Sequence, residues 1–476
     1  MSDVLWMLND LVEAVSGRVV GDPTTTVTGI SIDSRSIQPG EAFFAIRGEI
    51  RDGHRFVDGA LSRGAALAVV AEDRLSELPP EGRYVVVADV LEALRALGRA
   101  ARARTNAKIV AITGSVGKTS SKEMLRLALA KCGRTHASVA SYNNHWGVPL
   151  TLARMPANTE FGVFEIGMNH AGEITPLVAM VRPHVAIVTT VAPVHLAQFD
   201  SVEGIARAKG EIFTGLEPGG VAVLNASNEH YDLLRFLAVA AGVKEIVTFG
   251  TDRSFDAHTT QVVERSDCSC VTGRILGEDV TWKIGAPGRH LVGNSLAVLA
   301  AAKLAGADLA RAAMALADME APKGRGERHE LALRGGTATL IDESYNANPA
   351  SMRAAIALLG KARVARGGRR IAVIGDMLEL GEAAGELHRE LVEPLEKARI
   401  DLVYCVGPSM RELWDVIPES RRGGWTETSE ELQKDLLAAI RAGDAVMIKG
   451  SLGTKMGPLV SALTDAYGAK KNRAAS

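Results

Sequence analysis

Thr113-Gly114-Ser115-Val116-Gly117-Lys118-Thr119-Ser120 is the stretch that decides the fold. It follows an apolar run, Ile109-Val110-Ala111-Ile112, with the pattern of a buried strand. Residues 121–129 after it read as a helix that ends near Gly133. Strand, glycine loop and helix form the setting that a phosphate-binding loop needs. Gly114 and Gly117 open backbone conformations closed to other residues. Main-chain N–H groups can then face phosphate oxygens at the positive end of a helix. In such a loop Lys118 reaches the β- and γ-phosphates and the Thr119 hydroxyl holds Mg²⁺. The full loop pattern has a first glycine where Ile112 stands. The loop by itself indicates a nucleotide phosphate and leaves the reaction open.

Around this loop the chain has room for several cores. Its 476 residues suit two to four domains. Lys+Arg 54 against Asp+Glu 56 gives a net charge of −2, which excludes a general nucleic-acid surface. Cys132, Cys268, Cys270 and Cys405 are too scattered for a disulfide framework, and Cys268-Ser-Cys270 lacks zinc spacing, so these two read as surface strand residues. The N-terminal residues have neither a basic segment nor a long apolar one, so no signal peptide is expected, and no apolar run reaches the length of a membrane span. A cytoplasmic protein is the expectation.

The alternation of short apolar strands with helical stretches predicts an α/β protein of three units. Residues 1–105 read as a small α/β unit with a helix over 5–15 and strands over 28–35, 43–46, 65–70 and 84–88. Arg35 and Arg47 each follow a strand end, where they would clamp a diphosphate or lie as ordinary surface arginines. Residues 106–322 read as a nucleotide domain on a mostly parallel, doubly wound sheet. It has strands near 163–168, 185–191 and 219–225, an alternating stretch over 252–284, and an alanine-rich helix after Asn294. Residues 323–476 read as a second dinucleotide-fold-like sheet without a phosphate loop, with strands at 339–342, 371–376, 402–407 and 445–449 and a basic tail after Gly468 that should fray.

Glu165 lies in an apolar strand, where a carboxylate is costly unless paired or metal-bound. His195 follows another strand end, as a metal ligand or a structural histidine. Lys209 reads from its chemistry as a helix-surface lysine, because a free ammonium is repelled by metals. Arg325 and Asp342, at the entrance to the third unit, would close over a bound nucleotide.

These motifs together resemble the Mur ligases, whose phosphate loop also lacks the first glycine. The resemblance spans the whole chain. It includes Ser31-Ile-Asp-Ser34-Arg35 and Phe43-Phe-Ala-Ile-Arg47-Gly-Glu in the first unit, and Tyr142-Asn143-Asn144 with Gly147-Val-Pro149 in the second. In the third it includes Asp342-Glu-Ser-Tyr345-Asn346-Ala-Asn348-Pro349, Gly375-Asp-Met-Leu-Glu-Leu-Gly381 and Lys449-Gly-Ser451. It implies a first domain that binds a uridine nucleotide, a central ATPase domain and a C-terminal Rossmann-like domain. Thr119 and Glu165 would bind a first Mg²⁺ and His195 a second, with Lys209 carbamylated into an anion beside the metals. Gly114 to Ser120, Asn294, Arg325 and Asp342 would bind the nucleotide, with Lys118, Lys209 and Arg325 serving catalysis. Ser34, Arg35, Arg47, Asn143, Asn144, Tyr345, Asn346, Asn348, Lys449 and Ser451 would bind substrates. Leu291 stands where many members of the family have asparagine.

The implied reaction joins D-alanyl-D-alanine to a UDP-N-acetylmuramoyl-tripeptide through an acyl phosphate, in a monomer. Three other readings remain at this point: a sister ligase that adds a single diamino acid, a folylpolyglutamate synthetase-like enzyme, and a nucleotide switch that joins nothing.

Overall fold

The computed structural model describes residues 4–48, 51–139, 141–194, 196–265 and 267–468. The chain is α/β and builds three main sheets in order along the sequence. His195 and the tail over 469–476 lie outside the described residues.

The central sheet has nine strands. Lys108–Thr113, which leads into the glycine loop, lies in its interior between Val185–Val188 and Phe161–Glu165, parallel to both. Val110 and Ile112 face one core while Ile109 and Ala111 face another. Helices cover both faces, which is why the strand reads as a continuous apolar run instead of alternating. Lys118–Ala130 and Arg289–Leu304 pack on one side, and Ile174–Val181 and Val202–Gly210 on the other. The alternating stretch folds into Ala257–Glu264, Ser269–Ile275 and Glu278–Ile284, whose last two strands run antiparallel at one edge.

The N-terminal sheet is five-stranded. It is parallel from Gly29–Ser31 through Tyr84–Val87, with Arg18–Val20 antiparallel at its edge. The six-stranded C-terminal sheet is parallel except for the antiparallel edge strand Glu327–Leu333.

Several expectations are corrected. The first helix begins at Leu8, because Trp6–Met7 pairs as a strand with Thr26–Val27 and the Trp6 indole donates to the Ala153 carbonyl at 2.9 Å. The strand expected over 28–35 stops at Ser31, and the chain turns where the Asp33 carboxylate accepts the Arg35 N–H at 2.9 Å. The strand expected to reach 191 ends at Val188, after which Thr189 and Thr190 turn toward the glycine loop. Cys268 is buried at 5% exposure, so it is not a surface residue, and burial raises its thiol pKa.

Candidate active site

The three parallel strands Phe161–Glu165, Lys108–Thr113 and Val185–Val188 end at one edge of the central sheet. Glu165 stands opposite Ile112, and Val188 opposite Thr113. The glycine loop sits on that edge. Gly114 has φ +147° and Gly117 φ +88°. A Cβ on Gly114 would come within 2.0 Å of the Thr189 hydroxyl, and one on Gly117 within 2.5 Å of the Asn294 amide. Both positions therefore require glycine for space as well as for backbone angle.

Neighbouring side chains hold the loop from outside. Ser115 donates its N–H to Thr190 O at 2.8 Å, and its hydroxyl donates to Ala192 O at 3.0 Å. The Thr189 hydroxyl donates to Val116 O at 2.6 Å. Asn225 donates to Thr189 O, and Asn228 to Thr190 Oγ1 and Val191 O. Sequence reading missed Thr189, Asn225 and Asn228. The one local signal was the Thr-Thr pair that breaks the apolar run after Val188.

The helix Lys118–Ala130 begins directly on the loop, with Gly117 at its N-cap. Lys118 Nζ folds back onto Gly114 O at 2.6 Å, and Thr119 is buried. Loss of hydration pushes the Lys118 ammonium below its ordinary range, Arg325 adds to this, and Glu165 opposes it. Glu165 is 1% exposed. Its Oε1 accepts from Asn143 Nδ2 at 2.7 Å, while Oε2 is buried without a partner. Lys209 also contradicts the surface reading, with 2% exposure in the last turn of Val202–Gly210. Burial pushes its amine well below the ordinary lysine range, and the Lys118 charge adds to that. An orphaned carboxylate oxygen, a buried amine that favours neutrality and a glycine cradle form a donor set that fits a nucleotide with Mg²⁺.

Beside the loop lies a cavity of about 510 Å³, lined by Gly117, Asn225, Phe249, Gly250, His290 and Asn294 among others. Leu291 is not among its walls; it is 5% exposed and packs in the core under Arg289–Leu304. Asn294 lines the cavity, as does Asn225.

The carboxyl edge of the C-terminal sheet faces this site. Arg325 stacks over Tyr345, with 4.4 Å between guanidinium carbon and ring centroid, near enough to Lys118 for its charge to be felt there. Ala197 N–H donates to Glu379 O at 3.1 Å, and Glu264 binds both Arg289 and Lys361. Asp342 is buried, with Oδ1 accepting from Ser344 N at 2.9 Å. Lys449 donates to Asn346 O at 2.9 Å and to Glu343 Oε2 at 3.4 Å. The Asn348 side chain caps the helix Pro349–Gly360 in a reciprocal box with Ser351, and Ser451 accepts from Leu378 N. Both side chains are engaged in holding loops.

In the N-terminal unit, a separate cavity of about 480 Å³ is lined by Arg47, Arg51, Asp52, Arg55, Asp73 and Arg74 with Gly48. Arg35 does not line it. Its exposed guanidinium grips Asp33, holding that carboxyl down to about 2. Ser34 is half-buried in the same turn as Arg35.

Residues 26–112 match the Mur ligase family catalytic domain, 112–302 the Mur ligase middle domain, and 324–452 the Mur ligase glutamate ligase domain. The chain belongs to the Mur ligase family. It is 34% identical to the UDP-N-acetylmuramoyl-tripeptide–D-alanyl-D-alanine ligase of Escherichia coli strain K12 over 464 residues, 96% of this chain and 98% of that one. The enzyme of the same name from Rickettsia prowazekii strain Madrid E is 32% identical over 431 residues, 90% of this chain and 94% of its own. A crystal structure of MurF from Acinetobacter baumannii aligns with a TM-score of 0.82 at 29% identity, covering 97% of this chain and 99% of that one.

Proposed function

We propose that this enzyme joins D-alanyl-D-alanine to UDP-N-acetylmuramoyl-tripeptide, with ATP converted to ADP and phosphate, and so makes the UDP-linked pentapeptide precursor of peptidoglycan. The observation that carries the proposal is the likeness, end to end, to ligases of that name. Residues 1–105 receive the UDP-linked precursor, 106–322 hold ATP and Mg²⁺, and 323–476 close on the nucleotide and the incoming amine. The protein works as a cytoplasmic monomer. No helix among the described residues is long and apolar enough to cross a membrane.

A carboxylate is a poor electrophile, so the tripeptide carboxylate first attacks the γ-phosphorus of ATP and ADP leaves. The dipeptide amine then attacks the acyl carbon of the resulting acyl phosphate, and phosphate leaves with the C–O bond broken. The residues from Gly114 to Ser120 cradle the phosphates, and Lys118 offsets charge that builds on the transferring group. Asn294 meets the adenine, Asp342 the nucleotide near its ribose, and Arg325 the transferring phosphate. Thr119 and Glu165 hold one Mg²⁺; His195 and a carbamate formed on Lys209 hold a second. These ions supply charge neutralisation on the phosphate oxygens. The buried Lys209, which favours the neutral amine, supports the carbamate, because a neutral amine is the form that adds CO₂. A free α-amino group has a pKa of about 7.7–8.0, so part of the dipeptide is already nucleophilic near neutrality. Closure of the third unit brings that amine to the acyl phosphate and keeps water out. Ser34, Arg35 and Arg47 contact the UDP moiety. Asn144 serves the muramoyl-peptide side, and Tyr345, Asn346, Asn348, Lys449 and Ser451 form the D-alanyl-D-alanine side.

The test is product mass after incubation with ATP, Mg²⁺, the tripeptide precursor and either D-alanyl-D-alanine or a free diamino acid. Pentapeptide from the dipeptide alone supports the proposal. Ligation of the diamino acid would move the enzyme to a sister specificity.

A further inference from the structure

A metal ligand must present the same oxygen each time, and a glutamate has three torsions along which to swing. Glu165 is fixed from one side. Asn143 Nδ2 donates to its Oε1 at 2.7 Å and leaves Oε2 buried without a partner. Asn143 is itself pinned: its N–H donates to Ser141 O at 2.9 Å, and its carbonyl accepts from Gly167 N at 2.8 Å, two residues beyond Glu165. Side chain and main chain of one residue therefore grip both ends of the segment from Glu165 to Gly167. The loop around Asn143 is tied down further. Lys122, buried on the phosphate-loop helix, donates to Ser138 O at 2.9 Å, and Asn144 Oδ1 accepts from Gly147 N at 2.9 Å.

We propose that Asn143 is a positioning residue for the Mg²⁺ site, acting through Glu165 instead of through direct contact with the muramoyl-peptide. An amide suits the task because it donates a hydrogen bond without adding charge beside a cation or a carboxylate. This inference rests on the reading of Glu165 as a metal ligand.

The experiment titrates Mg²⁺ into the full-length protein with ADP and follows ADP binding by calorimetry, for the parent, Asn143→Ala, Asn143→Gln and Glu165→Gln. Thermal melting without nucleotide and KM for the tripeptide precursor are measured alongside. Loss of an outer partner typically weakens metal affinity about 10–100-fold, so Asn143→Ala should need at least about 10-fold more Mg²⁺ for the same ADP affinity. Metal-free ADP binding should match the parent. Asn143→Gln, which keeps an amide donor, should recover part of the loss, and this comparison still decides the matter if Asn143→Ala fails to fold. A parental Mg²⁺ response in Asn143→Ala, with a raised KM for the precursor, would overturn the inference alone. A parental Mg²⁺ response in Glu165→Gln would overturn the metal assignment and the inference with it.

Discussion

Two buried carboxylates, at matching places in two sheets, have opposite surroundings. Asp376 follows the strand Arg370–Gly375 and is 3% exposed. Its Oδ1 accepts from Met410 N at 2.8 Å and its Oδ2 from Ser409 N at 3.3 Å. Glu165 ends Phe161–Glu165 at 1% exposure, with one oxygen bound and the other orphaned. Burial without a partner costs several kcal/mol of solvation, so it persists where something else satisfies the group. Asp376 uses both oxygens to hold its own fold, whereas Glu165 keeps one oxygen unsatisfied for a ligand.

The largest effect should come from the central sheet. Lys118→Ala should cut phosphate release in the full reaction to below about one thousandth of the parent rate, since it removes the charge proposed to offset that on the transferring phosphoryl group. Substantial residual turnover would break the comparison at its centre.

Next come the paired carboxylates. Glu165→Gln should lower turnover by about 100-fold or more while leaving stability intact or improved, because it removes an uncompensated buried charge. Asp376→Asn should do the reverse. It weakens two backbone hydrogen bonds and should cost about 1–3 kcal/mol in denaturant unfolding. Equal stability losses in both variants would erase the distinction.

A smaller effect is expected from pH. His388 is fully buried in the C-terminal core, where Nε2 accepts from Met377 N at 2.9 Å and Nδ1 donates to Ala384 O at 2.6 Å. Burial pushes its imidazole below the ordinary range, against a smaller pull from the Ala384 carbonyl. The unfolded chain then binds a proton that the folded one refuses. The contribution to stability is complete above the unfolded pKa of about 6.5 and is lost as pH falls below it. Denaturant midpoints compared at about pH 7.5 and 5.5 should show a steeper acid loss in the parent than in His388→Gln.

The smallest effect should be at Lys361, which meets Glu264 at 2.5 Å across the two sheets but is 58% exposed. Lys361→Ala should change stability by no more than about 1 kcal/mol, and the difference should vanish in high salt.

Much of this contrast was legible in the sequence, where it depended on local spacing. Strand, glycine loop and helix predicted the loop that the structure places at the sheet edge, and a lone glutamate in an apolar strand singled out Glu165, which is buried at the same edge. Asn348-Pro349 stood in the sequence only as part of a family motif, and the structure shows Asn348 capping the helix Pro349–Gly360 with proline at its first position. Lys209 was misread because its own chemistry suggested solvent. Its four-residue spacing from Ile205 put it on the buried face, and both are buried. Asn225 and Asn228 were not legible, since they brace the loop from a strand end and turn far along the chain, and the local trace of Thr189 was the Thr-Thr pair that ends the apolar run.

The most direct test uses UDP-N-acetylmuramoyl-tripeptide labelled with ¹⁸O in its reacting carboxylate. With ATP, Mg²⁺ and D-alanyl-D-alanine, pentapeptide should form and one label atom should pass into the released phosphate. Pentapeptide formed with unlabelled phosphate would contradict carboxylate activation by phosphoryl transfer at the Lys118 loop.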